Sequence, residues 1–115
     1  MRPPHPAPPL VHARKAGDVT LVTVLTPDLS EAKAKAVGLT LVHLVEAVAR
    51  PRLHLDLGQV RFLTGTLLGN LVALHKRVRA AGGELALLNV TDPVYEVFEV
   101  TRLHRVLDVR RPVAS

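Results

Sequence analysis

The sequence predicts an α/β domain: a mixed, mostly parallel sheet of about five strands carrying three helices. Three observations lead there. The chain has 115 residues, the size of one domain. It is 48% hydrophobic and 22% charged, ordinary values for a globular protein. Its apolar residues switch repeatedly between a period of two and a period near 3.6, so strands alternate with helices, and that alternation implies crossovers between parallel strands.

The N-terminus, MRPPHPAPPL, holds five prolines in its first nine residues. These favour an extended solvated arm, so residues 1–10 are expected to be a disordered leader, residues 11–109 the domain and residues 110–115 a tail. The run VHARK near Val11 is expected to pair with DVTLVTVL, Asp18 to Leu25, across the turn former Gly17. After Pro27 the stretch SEAKAKAVGLTLVHLVEAVAR is helical. Val37, Leu41, Leu44, Val45 and Val48 share one face, Glu31 and Lys35 form an i,i+4 pair, and Asp28 or Ser30 supplies the cap.

Leu53, Leu55 and Leu57 alternate with His54 and Asp56, which marks a strand ending at Gly58. From Thr64 to Ala81 a second helix turns Leu67, Leu68, Leu71, Leu74 and Val78 inward. Lys76, Arg77 and Arg79 sit near its C-terminus, where cations complement the dipole. Gly82 and Gly83 stop it before the strand Glu84 to Leu88. Asp92 followed by Pro93 signals the cap and first residue of a third helix running to about Val100. Arg105 to Val109 is the last strand.

Composition excludes several chemistries. With no cysteine there are no disulfides, thiol nucleophiles or thiolate metal sites, which suits a cytoplasmic protein. The net charge of +5 resides at the two ends, and residues 18–101 carry a net −1. Tyr95, Phe62 and Phe98 all sit in core-like patterns, so neither a basic face nor stacking rings point to nucleic acid. The apolar runs fall far short of the roughly 18 residues of a membrane span. The six histidines show no i,i+4 pair and no HExxH, so no metal and no cofactor is expected. Gly65 and Gly69 lack the Lys-Ser/Thr of a phosphate loop, and Asp56 reads as a solvated strand residue. No catalytic residue emerges.

One ordered pattern is specific. A strand ending in LDLG is followed by a loop reaching Phe62 and a Thr/Gly-rich turn. That turn opens the helix whose GG precedes the next strand. Upstream lie strand, TPDLS turn and helix; downstream lies NVTDPVYEVFEVTRLHRVLDV. From Val11 to Val109 this resembles the STAS domain, the family of bacterial anti-sigma factor antagonists and related regulatory modules.

The resemblance implies a protein-binding module whose partner is an anti-sigma factor that is also a serine kinase. In the family the loop before the second helix commonly reads Asp-Ser-Ser-Gly-Leu-Gly and its second serine is phosphorylated. Here those positions are Thr64, Gly65, Thr66, Leu67, Leu68 and Gly69, so Thr66 takes the phosphoacceptor's place. Thr64 stands for the family's aspartate, Gly65 for the first serine, Leu67 for a glycine, and Ser30 for the aspartate that usually ends the upstream turn. The implied partner surface comprises Asp28, Ser30, Phe62, Leu63, Thr64, Gly65, Thr66, Leu67 and Gly69. Thr66 is equally readable as a first-turn threonine beside the cap Thr64. The alternative role is a structural STAS subunit of a transporter or signalling assembly that docks its partner constitutively. A small enzyme built on Asp56 and a histidine finds no support in the spacing.

Overall fold

Gly17 adopts φ +65°, which lets the chain reverse tightly between β1 (Val11–Ala16) and β2 (Val19–Val24). The two strands pair antiparallel, Val11 opposite Val24 and Ala16 opposite Val19. The structure is a computed structural model and describes residues 9–113. The expected leader therefore lies, up to residue 8, outside the described residues.

After the hairpin the strands β4 (Arg52–Asp56), β6 (Glu84–Leu88) and β7 (Asp108–Val109) add in parallel, giving the order β1-β2-β4-β6-β7. Three helices connect them: α1 (Glu31–Glu46), α2 (Gly65–Ala80) and α3 (Asp92–Val100). Each parallel strand adds on the same side of its predecessor. Right-handed crossovers then place all three helices on one face of the sheet. The burial pattern agrees: Val22, Val24, Leu53, Leu55, Leu85 and Leu87 form one cluster with Val37 and Leu41 of α1, Leu67, Leu71 and Val78 of α2, and Val94 and Phe98 of α3. The opposite face presents Arg52, His54 and Asp56 beside Glu84, and Arg52 hydrogen-bonds Glu84 at 3.1 Å.

Two further strands were not expected. β3 (Asp28–Leu29) and β5 (Phe62–Leu63) form a separate two-stranded parallel ladder. Other elements are shorter than the sequence suggests. α1 ends at Glu46 and leaves Val48 exposed, because the chain must straighten to enter Pro51, whose ring disfavours helix in the preceding residue. α3 is capped at Thr91, with Asp92 already inside its first turn. The last strand spans two residues, because a 3₁₀ turn at Leu103–Arg105, entered through Arg102 at φ +61°, occupies its expected start.

Ordered contacts continue beyond both expected ends of the domain. The Leu10 carbonyl accepts the Leu25 N–H at 2.8 Å. The Arg110 N–H donates to Leu87 and its carbonyl accepts from Val90, while the Arg111 guanidinium lies 4.2 Å from the centre of the Tyr95 ring.

Candidate functional site

The residues singled out in the sequence belong to two loops that leave the carboxyl ends of β2 and β4. The β3–β5 ladder joins these loops. Asp28 is opposite Phe62 and Leu29 opposite Leu63. The Pro27 carbonyl accepts both the Arg61 N–H at 2.8 Å and the Phe62 N–H at 3.1 Å. Buried Thr26 steadies the first loop, its hydroxyl donating to the Asp28 carbonyl at 3.2 Å. Each loop runs directly into a helix, so the N-termini of α1 and α2 are held side by side.

Ser30 and Thr64 are the two caps, both extended, and neither side chain makes a capping hydrogen bond. The Thr64 hydroxyl is enclosed and has no hydrogen-bond partner. Thr66 is therefore the second residue of α2. Its half-buried hydroxyl donates not to its own helix but across to Glu31 Oε1, the first residue of α1, at 2.5 Å. That contact displaces the expected Glu31–Lys35 pair, which is absent from the ion pairs among the described residues.

From Thr66 an open groove of about 380 Å³ runs between α1 and α2, lined by Lys35, Leu39, Val42, Asn70 and Arg77 among others. Gly38 forms its floor on α1. A Cβ there would fall 2.6 Å from the Asn70 amide nitrogen, so the glycine lets the two helices approach closely. Leu39 is 59% exposed on this face.

The remaining site residues divide into two sets. Leu63 and Leu67 are core residues; their side chains hold the two helix starts in place and are not available on the surface. Gly65 and Gly69 are exposed with nothing near their Cβ positions, and Asp28 is exposed as well. Phe62, expected in the core, is 58% exposed on the outer side of the ladder. Two-strand alternation accounts for the change: Leu63 points in, and its neighbour must point out.

Asp56 is not merely solvated. One carboxylate oxygen accepts the Gly58 N–H at 2.8 Å and the other accepts from the Asn89 side chain at 3.0 Å, tying the loop after β4 to the loop after β6. Asn89 takes φ +55°, a conformation asparagine tolerates better than most residues. Nothing in the local sequence marks this clasp, which spans 33 positions. Among the described residues no group of three or more His, Asp or Glu side chains is placed to hold a metal ion, and no helix is long and apolar enough to cross a membrane.

A sequence model of the STAS domain matches residues 11–115. The chain belongs to the STAS domain family. Within it, the anti-sigma-B factor antagonist of Listeria monocytogenes is 31% identical over 58 residues, which cover 50% of this chain and 51% of the relative. The chain thus spans about half the length of the curated relatives it matches. Among solved structures, a STAS domain protein from Planctomyces limnophilus superposes with a TM-score of 0.80 at 21% identity, covering 90% of this chain and 91% of the other. The Bacillus cell fate determinant SpoIIAA in its phosphorylated form gives a TM-score of 0.67 at 13% identity, with 91% and 92% coverage. At these identities the superpositions establish the STAS fold. The five-stranded mixed sheet and three helices are that fold.

Proposed function

We propose that this STAS domain is a non-enzymatic regulatory module of the bacterial cytoplasm that binds a kinase-type anti-sigma factor and is switched off by phosphorylation of Thr66. The unmodified domain occupies the anti-sigma factor and frees the sigma factor; the phosphate ends the contact. The observation that carries this reading is the place of Thr66: a hydroxyl in the first turn of α2, at an edge where two helix N-termini and the exposed Phe62 converge. A phosphate there adds close to two negative charges, which the unpaired amides of a helix N-terminus can accept and an apolar or acidic partner surface cannot. The match to anti-sigma-B factor antagonists and the likeness to a protein known in a phosphorylated form support the same reading.

The partner surface then comprises Asp28, Ser30, Phe62, Thr64, Gly65, Thr66 and Gly69, with Leu63 and Leu67 supporting it from beneath. Wild-type, Thr66→Ser and Thr66→Asp proteins used as baits in an extract of the source cells test the proposal, with bound proteins and phosphorylation read by mass spectrometry. Wild type and Thr66→Ser are expected to retain an ATP-binding kinase, Thr66→Asp to lose at least roughly tenfold of it, a change of about 1.4 kcal/mol. Equal capture of a transporter or scaffold component by all three would instead assign the domain a constitutive docking role.

A further inference from the structure

Thr66 shares one side of α1 with two opposite charges, Glu31 and Lys35. Glu31 accepts its hydroxyl at 2.5 Å, and Lys35, one turn further along α1, lines the same groove as Thr66 and Asn70. We propose that this pair is a two-position latch in which Glu31 holds the Thr66 hydroxyl and Lys35 takes over when the hydroxyl carries a phosphate. The inference rests on the reading of Thr66 as the phosphoacceptor and names the residues that respond to the modification.

The chemistry follows from donors and acceptors. A hydroxyl whose proton is committed to a carboxylate on one side presents its lone pairs on the other, the orientation an attacking oxygen requires. When the kinase delivers ATP, the Oγ1–phosphorus bond forms as the bond from the γ-phosphorus to the bridging oxygen breaks. ADP leaves with that electron pair, and the hydroxyl proton passes to Glu31, already its hydrogen-bond partner, and on to water. The product has no proton left to donate, and its dianion faces a carboxylate. Repulsion from Glu31 and attraction to Lys35 then act in the same direction. Of the other charged groups here, Asp28 on β3 is a second carboxylate that reinforces the displacement, while Arg61 in the loop before β5 and Arg77 further along the groove are cations. α2 itself has no charged side chain before Lys76. Glu31 thus both orients the reacting hydroxyl and receives its proton, and the first turns of α1 and α2 lose their side-chain tie when Thr66 is modified.

Phosphothreonine incorporated at position 66 by genetic encoding allows the latch to be tested without the kinase. The ³¹P shift is followed against pH in the otherwise wild-type protein, in Glu31→Gln and in Lys35→Gln. Removing the carboxylate should lower the midpoint of the second phosphate ionisation and removing the ammonium should raise it, each by about half a pH unit, the size expected of a single nearby charge in a well-solvated site. A midpoint that ignores either substitution overturns the latch. Failure of the underlying reading has a different signature: both midpoints move as expected, yet the anti-sigma factor binds phosphorylated and unmodified domain alike.

Discussion

Gly83, where α2 hands over to β6, and Gly65 and Gly69, where α2 begins, are surrounded in opposite ways. At the edge where the parallel strands begin, Gly83 is pressed against Pro51: a Cβ there would lie 1.9 Å from the Pro51 carbonyl oxygen. The same carbonyl accepts the Glu84 N–H at 2.9 Å, and the Gly83 N–H closes the end of α2 on the Val78 carbonyl. At the edge where the strands end, Gly65 and Gly69 have nothing within 4 Å of their Cβ positions, and Phe62 and the Thr66 hydroxyl stand near them. The first edge is built by close contact. The start of α2 at the second is left open, Gly65 and Gly69 serving no internal packing need, as a surface that receives another molecule can be.

Gly83→Ala gives the largest effect expected from this contrast. The atoms it meets are backbone and cannot swing aside, so the strand entry must shift, and a cost of about 3 kcal/mol follows. Denaturant unfolding should show the midpoint falling with little change in slope. A variant as stable as wild type would mean that the two edges do not differ as described.

Gly69→Ala acts on the open edge and should have the opposite sign. Alanine is the better helix former and meets no neighbour, so the domain gains about 0.5–1 kcal/mol. If the start of α2 is the partner surface, the added methyl weakens capture of the partner while it raises Tm. A stabilised variant that binds unchanged would move the interface away from Gly69.

Most of the frame was legible because it rests on periodicity. Leu53, Leu55 and Leu57 alternate, Leu67, Leu71, Leu74 and Val78 recur at helical spacing, and both sets are buried as that pattern requires. The site was legible in position but not in its contacts. A two-residue ladder such as Asp28–Leu29 with Phe62–Leu63 is too short to show a period, so Phe62 read as core. The Glu31–Thr66 contact joins residues 35 positions apart, and the local i,i+4 rule assigned Glu31 to Lys35 instead. Thr91 and Asp92 both cap well, and sequence alone chose the one next to proline.

The smallest effect concerns the solvent face of the sheet, which joins the two edges. Arg110 forks onto Asp108, with nitrogens 2.7 and 3.1 Å from its two oxygens. The hydrogen bond from Arg110 holds the Asp108 carboxyl below its usual range; partial burial opposes it, and the charges of Arg110 and then His54 add smaller contributions in the lowering direction. A carboxyl depressed by folding stabilises the native state above its unfolded value near ~3.9 and loses that contribution as pH falls through the lower native value. Arg110→Gln should therefore lower Tm at neutral pH by only about 1–3 °C, as befits a pair half open to solvent. The difference from wild type should then close as the pH falls through the lowered native value of Asp108. A gap that persists undiminished at low pH would show that the Arg110 side chain contributes through packing alone, since the main-chain bond to Leu87 is kept in the variant, and that the fork to Asp108 adds nothing to the cohesion between the edges.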